Sequence, residues 1–300
     1  MKGLFIINPS SGTQTVQKTA IKIINKMLLD PESEGMTVFY THGKDDARAK
    51  AASLKPGDYD FVLGVGGDGT INEVAVGLYQ SGSEIPLAIL PAGTTNDFAV
   101  SVGLPHDVDG VCKILKSRQT QKMDLGRFND YYFYNVAAGG ALSEVAHTTG
   151  TNMKTALGRA AYLIEGAKKF ASVKFSTVPL IFEIDGVEEK HDVYFFILAN
   201  STSVGGFHKI APLASVNDGL LDLCILKNVD FASTLPLLNQ IKKGTHTENE
   251  DRFVYRQCRS LKVRSEDSSL VFPLDYDGEY GGNLPLEASV IEGAVNLIVG

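Results

Sequence analysis

Apolar residues fall along the first 125 positions in short solid runs separated by amphipathic stretches. LFII (4–7), MTVFYT (36–41), FVLGV (61–65) and PLAIL (86–90) have strand length and are rich in β-branched and aromatic residues. Between them, segments 16–29, 45–54 and 71–80 repeat apolar residues at helical spacing, and 97–102 follows the fourth run after a loop. Strands alternating with helices predict βαβ units, hence a mostly parallel sheet covered by helices. In such sheets ligands bind beyond the carboxyl ends of the strands. The glycine-bearing loops 66–70 and 91–96 both follow strands, so both are expected at that one edge.

After about residue 124 the pattern changes. RFND precedes YYFYNVA, EIDGVEE joins VPLIF to VYFFILAN, and LLDLCIL and LKVRS follow. Asp185-Gly186 is a strong hairpin signal, and successive strands without long helices between them predict a mainly antiparallel β-sandwich. The exception is 141–171, which reads as helical. The expected organisation is an α/β nucleotide-binding domain with a mostly parallel sheet over 1–125, then a β-rich domain over 126–300. The extreme C-terminus is expected to pack back on the first domain.

Composition narrows the partners. The chain is 44% hydrophobic and 21% charged, with a net charge of −7. That balance is globular and lacks the basic footprint of a general nucleic-acid binder. No run approaches 18 consecutive apolar residues, and the opening MKGLFIINPSSG is broken too early for a signal peptide, so a cytoplasmic protein is expected. Cys112, Cys224 and Cys258 form no CxxC pair and are expected as buried free thiols. The six histidines show no metal-ligand spacing.

The chemistry concentrates in VLGVGGDGTINEVA (62–75). Gly66, Gly67 and Gly69 suit a backbone that must approach a phosphate, yet Asp68 among them is an anion. At about 4 Å it would repel a phosphate charge by about 4 kcal/mol at an effective dielectric near 20. A divalent cation between the two reverses that sign, and Mg²⁺ typically takes one or two carboxylates plus substrate phosphates. Asp68 or Thr70 as a helix N-cap is the structural alternative, although a cap requires no glycines.

GGDGT followed by Asn72 and Glu73 resembles the nucleotide loop shared by diacylglycerol kinases, sphingosine kinases, NAD kinases and phosphofructokinases. PAGTTNDFA (91–99) resembles the PxGTxNDFA loop of the diacylglycerol kinase catalytic domain, with Gly93 for the turn and Thr94 and Thr95 offering hydroxyls to phosphate. Asn96 and Asp97 could instead cap the next helix. Val100 stands where many relatives carry a basic residue. IINPSSGT (6–13) resembles the family's opening strand and loop, so Asn8, Ser10, Ser11, Gly12 and Thr13, with Thr41 at the end of the next strand, are further candidates for the nucleotide.

Three more segments acquire roles from the same resemblance. Asp124 in DLGRFN would bring a carboxylate toward a cleft between the domains, the alternative being an exposed acid at a strand end. PLDYDGEYGGNLP (273–285) is similar to the family's DGE segment, which implies that Glu279 accepts the proton of a lipid hydroxyl. Asp277 is the competing acid, and the letters alone leave the choice open. GGFHKIAPLASVNDGLLDL (205–223) resembles a structural Mg²⁺ region, with the Asp218 side chain and the carbonyls of Ser215 and Leu220 as ligands; a plain Asn-Asp-Gly turn is the alternative. The implied protein is an ATP- and Mg-dependent kinase of diacylglycerol or a related lipid, with a homodimer as one possible assembly. Its rivals are a kinase of a soluble alcohol such as NAD and a non-catalytic nucleotide sensor.

Such an enzyme must visit a membrane. Segment 151–177 carries five basic residues against Glu165, and Lys18, Lys22 and Lys26 share one face of the first helix. At about 1 kcal/mol per cation near an anionic surface, an excess of four supports transient peripheral docking at the inner membrane face. A solvated helix face is the alternative.

Overall fold

The computed structural model describes residues 1–11, 14–93, 95–140, 177–227, 231–248 and 251–300, with the backbone alone described at 14 and 231–235. The helix expected over 141–171 and almost all of the basic segment 151–177 fall outside the described residues, as do Gly12, Thr13 and Thr94. The chain divides into two compact units, Met1–Asp124 with Gly293–Gly300, and Leu125–Glu292.

In the first unit, β1 (Lys2–Ile7), β2 (Gly35–Tyr40), β3 (Phe61–Gly66) and β4 (Leu87–Pro91) lie in the order β2-β1-β3-β4, all parallel. Leu297, near the end of the last strand β16 (Leu286–Ile298), pairs parallel with Leu87. The solid apolar runs have their cause here: β3 is buried at every position because helices cover both faces of a parallel sheet. One face packs Phe5, Ile7, Leu63 and Val65 against Ala20, Ile23 and Met27 of α1 (Gln14–Leu28) and Val111, Ile114 and Leu115 of α5 (Val108–Ser117). On the other face lies α3 (Asp68–Ser81), packed closely on α2 (Asp46–Ala52). The short α4 (Asp97–Ser101) follows β4.

The second unit is built on an antiparallel sheet in the order β12-β11-β10-β7-β14-β15. These are β12 (Phe253–Cys258), β11 (Leu221–Leu226), β10 (Phe195–Ala199), β7 (Val136–Gly140), β14 (Pro273–Tyr276) and β15 (Glu279–Asn283). A second layer holds β8 (Val178–Ile184), β9 (Val187–Val193), β13 (Ser260–Arg264) and the start of β16. Phe182, Phe196, Leu198, Leu223, Val263, Leu274 and Leu286 fill the space between the layers. The remaining strands are β5 (Thr120–Phe128) and β6 (Tyr131–Phe133), paired to each other.

The expectation that 141–171 would be the one helical exception needs correction. A helix α6 (Phe231–Lys243) also lies in this unit, with Pro236 inside it. Its Leu237 and Ile241 pack with Val136, Phe195, Ile197, Cys224, Leu226 and Phe253 on the outer face of the antiparallel sheet. That cover is why β10 and β11 are buried at every residue instead of alternating. All three cysteines are buried free thiols. Burial pushes Cys224 and Cys258 up to about 12.

Candidate active site

The parallel sheet delivers its candidates to one edge by main-chain bonds. The Asn8 amide donates to the Val65 carbonyl at 2.9 Å, the Thr41 amide to Ile7 at 2.9 Å and the Ala92 amide to Gly66 at 2.9 Å. The ends of β1, β2, β3 and β4 are thereby held in line. Asn8 Nδ2 reaches Thr70 Oγ1 at 3.0 Å, and Asn8 Oδ1 accepts from the Ser10 amide at 2.9 Å, so one side chain ties the first loop to GGDGT. Ser11 closes the same turn through its amide and the Asn8 carbonyl, at 3.2 Å.

The glycines of these loops do different work. A Cβ on Gly66 would fall 2.4 Å from the Thr70 Cβ, so that glycine is required by the protein's own packing. At Gly67 a Cβ would meet, among the described residues beyond its chain neighbours, only the Gly93 Cα, at 4.0 Å, and the backbone there (φ −81°, ψ −177°) suits any residue. A Cβ on Gly93 would come 3.1 Å from Asn96 Oδ1 and 3.5 Å from Asp68 Oδ2. The loops after β3 and β4 thus face each other across bare backbone, with the Asp68 carboxylate beside them. Asp68 is the first residue of α3, where the opening amides have no acceptor within the helix. Such a cradle suits phosphate.

Several candidates take other places. The N-cap of α3 is Gly67, with no side-chain cap bond, so neither Asp68 nor Thr70 is the cap. Asn96, in the left-handed region at φ 52°, precedes α4, again without a side-chain cap bond, and Asp97 is buried. Thr95 is half-buried in the same loop, and Gly69 is within α3. Asn72 is buried on α3. Glu73 gives one oxygen to the Asp45 amide (2.9 Å) and the other to the Ala47 amide (3.1 Å). Its carboxylate therefore secures the start of α2 instead of entering the cradle. Asp124 is fully buried and accepts from the Gly293 amide at 2.6 Å, which rules out the exposed strand-end alternative.

In the second unit, Asp277 and Glu279 separate clearly. Asp277 and Gly278 form the β14–β15 turn, both at positive φ (47° and 86°). The Asp277 carboxylate is buried and accepts three backbone amides: Tyr134 (2.8 Å, Oδ2), Asn135 (3.1 Å, Oδ1) and Val136 (2.9 Å, Oδ1). Glu279, two residues on and opposite Tyr276, is exposed. One acid holds the turn to β7; the other can meet a solute.

The 215–220 loop has Asp218 exposed, with its Oδ1 accepting the Leu220 amide at 3.0 Å, and the Ser215 hydroxyl donating to Asn217 at 2.8 Å. No cluster of three or more His, Cys, Asp or Glu among the described residues could hold a metal. One carboxylate with two carbonyls is an all-oxygen donor set that still fits Mg²⁺, which retains several waters. Nearby Asp222 is fully buried, and burial, aided by Asp218, raises it to about 6 against a 2.5 Å hydrogen bond from the Tyr255 hydroxyl.

A glycine-lined cradle at the carboxyl edge of a parallel sheet, with a carboxylate in it, defines a protein built to handle phosphate. The comparisons with known proteins are more specific. Residues 2–128 match the diacylglycerol kinase catalytic domain, and residues 135–299 match the YegS C-terminal NAD kinase beta sandwich-like domain. A diacylglycerol kinase of Bacillus subtilis (strain 168) is 34% identical over 288 residues, covering 94% of this chain and 91% of the relative. One from Staphylococcus haemolyticus is 32% identical, covering 93% and 82%. A solved diacylglycerol kinase structure from Bacillus anthracis str. Sterne superposes with a TM-score of 0.73 at 20% identity, covering 100% of this chain and 97% of that one, which establishes the fold. The chain belongs to the diacylglycerol kinase family.

Proposed function

We propose that the protein transfers the γ-phosphoryl group of ATP to the hydroxyl of diacylglycerol or a closely related lipid alcohol, with Mg²⁺. The observation that carries the reading is the apposed Gly67 and Gly93 backbone with Asp68 Oδ2 beside it, in a chain of this family. Asp68 at the mouth of the cradle would hold the Mg²⁺ that accompanies the nucleotide, which when bound would supply positive charge against the charge that develops on the transferred phosphoryl group. Asn8, Ser10, Ser11, Thr41 and Thr95 offer polar groups along the same edge. Gly12, Thr13 and Thr94 would extend that set.

Glu279 takes the proton of the acceptor hydroxyl as its oxygen bonds to the γ-phosphorus, and the bond to the β–γ bridging oxygen breaks to release ADP. A base must come within about 3 Å of the proton it removes, which favours the exposed Glu279 over Asp277, whose two oxygens are committed to amides. Asp277 is a positioning residue that holds the Gly278–Glu279 corner. The Asp218 loop, with the carbonyls of Ser215 and Leu220, is a structural Mg²⁺ site in this proposal, and Asp124 is a structural acid that fixes β16 at Gly293.

The test measures ADP release with diacylglycerol, sphingosine, NAD or no acceptor. The expected result is Mg²⁺-dependent turnover with diacylglycerol and D68N reduced at least about 100-fold, the scale of lost electrostatic stabilisation at a reacting centre. G67A should fold as the parent does and raise KM for ATP at least tenfold, since among the described residues beyond its chain neighbours its methyl meets no atom closer than 4.0 Å. NAD as the sole acceptor, or full turnover in D68N, would overturn the reading.

A further inference from the structure

The β14–β15 hairpin has two chemically different faces. Tyr276 pairs with Glu279 and Asp275 with Tyr280, so alternation puts Tyr276 and Glu279 on one face and Tyr280 on the other. Directly opposed residues of an antiparallel pair hold their Cβ atoms about 5 Å apart, which sets Tyr276 and Glu279 side by side. The Tyr131 ring, carried by β6, stacks on Tyr276 with centroids 4.8 Å apart and planes 22° from parallel. Phe128 meets both rings at 5.5 Å. A Cβ on Gly281 would fall 2.2 Å from the Phe128 Cζ, so that ring lies directly on the bare glycine. The three rings form a strip along the hairpin that ends in Glu279.

Hydrogen bonds hold the strip on both sides. Asn129, in the β5–β6 turn, gives its amide to the Glu287 carbonyl at 2.8 Å and accepts the Glu287 amide on Oδ1 at 2.9 Å. Its Nδ2 donates to the Pro285 carbonyl at 3.2 Å. Asp277 ties the other hairpin to the amides of residues 134 to 136. Phe128 is fully buried and closes the sandwich core, whereas Tyr131 is 39% exposed and Tyr276 half-buried. Core closure accounts for Phe128 but gives no reason for an aromatic stack open to water beside an acid.

We propose that the Tyr131–Tyr276 stack is the acceptor subsite, a platform for the apolar segment that carries the hydroxyl: a glycerol ester and its first acyl methylenes. The proposal rests on the lipid-kinase reading with Glu279 as base. A base must come within about 3 Å of the proton it takes, so the carbon framework beside that hydroxyl lies against whatever flanks Glu279 on its own face. A tyrosine ring offers a large apolar surface to such carbon while its hydroxyl stays in water. The platform selects an acceptor with apolar carbon next to its hydroxyl over a soluble polyol such as glycerol. Because the rings are already stacked between anchored hairpins, binding requires little further ordering of side chains.

The test is steady-state turnover of dioctanoylglycerol in detergent, with a fluorescence arm that needs no turnover. Y131A should raise KM for dioctanoylglycerol about tenfold, the scale of about two methylene groups returned to water. Its kcat and its KM for ATP should stay parental, the signature of lost binding that ground and transition states share. Y131F should restore the parental KM, because the ring forms the platform and the hydroxyl does not. Y280L, on the opposite face of the same hairpin and 53% exposed in the parent, should leave the acceptor KM unchanged. The chain contains no tryptophan, so Y131W places a sole indole in the platform and reports even where Y131A folds poorly. Its emission should shift to the blue on adding dioctanoylglycerol without ATP, and stay constant with glycerol. A parental acceptor KM in folded Y131A, a rise in KM for ATP in its place, or an equal rise in Y280L would overturn the proposal. So would Y131W emission blind to dioctanoylglycerol in an enzyme that phosphorylates it. Turnover of dioctanoylglycerol by the parent is scored separately, so failure of the lipid-kinase reading appears there and failure of the platform alone appears only in the variants.

Discussion

Two hairpins in the second unit turn on the same pair of residues in the same backbone conformation. Asp185-Gly186 joins β8 to β9, Asp277-Gly278 joins β14 to β15, and in each the φ angles are 47° and 86°. In both, the turn aspartate reaches out to amides of another strand or loop. Asp185 accepts the Ser260 amide at 2.8 Å and the Arg259 amide at 3.0 Å on the same oxygen, Oδ1, at the surface. Asp277 divides three amides between its two oxygens in a buried setting. The first hairpin carries Val187 after its glycine; the second carries Glu279. The contrast teaches that the aspartate of an Asp-Gly turn in this protein is an anchor, and that what distinguishes the second hairpin chemically is the glutamate after it.

The sharpest test of that comparison is D277N. The amide group would present Nδ2 to the Tyr134 N–H, donor against donor, and leave a buried amide unpaired. The expected loss is about 2–3 kcal/mol, or a fall in Tm of roughly 5–10 °C for a unit of this size, with turnover declining in step as the corner loosens. D185N should lose less than about 1 kcal/mol, because its remaining carbonyl oxygen can accept both amides, and its turnover should equal the parent's. Equal destabilisation of the two variants by urea titration would break the distinction.

A smaller effect concerns an uncharged anchor in the same unit. His246 is fully buried, its Nε2 is 2.9 Å from the Ile210 carbonyl, and its ring meets Phe253 edge-on at 5.0 Å. Burial holds the imidazole below the usual histidine range, against the raising effect of the Ile210 and Gln240 backbone. The unfolded chain therefore binds a proton that the folded one resists. The histidine's contribution is intact above about pH 6.5 and declines as pH falls below it, at no more than about 1.4 kcal/mol per pH unit. The difference in urea midpoint between the parent and H246Q should shrink from pH 7.5 to pH 5; a difference that stays constant would refute the assignment. Taking the difference between the two proteins removes the opposite slope that Asp222 contributes between about pH 4 and 6.

Legibility in the sequence followed locality. The βαβ alternation was readable because each strand of the first unit is a short solid apolar run and each helix carries its own apolar spacing, and Asp185-Gly186 because turn chemistry lies within two residues. Helix α6 was hidden by Pro236 and by polar residues along 231–243. The available signal was indirect: FFILA and LDLCIL are buried throughout, which an antiparallel sheet open on one face would not allow. The site divided in the same way. GGDGT read as a loop, whereas Gly66 ends β3 and Asp68, Gly69 and Thr70 already belong to α3, and the apposition of Gly67 with Gly93 is tertiary. Glu73 read as part of the nucleotide motif, whereas its partners are amides 26 and 28 residues earlier. Asp277 and Glu279 were indistinguishable as letters, and the amides that separate them lie 141 to 143 residues away.

In the proposed reaction one acid of the DGE corner takes the proton while the other only holds the corner in place. Single-turnover phosphoryl transfer by E279Q, alongside its melting curve and ATP binding, tests this most directly. Melting and ATP affinity should equal the parent's, with the rate lowered about 100- to 10,000-fold, the range for loss of a general base. A variant that retains at least a tenth of the parental rate would contradict it.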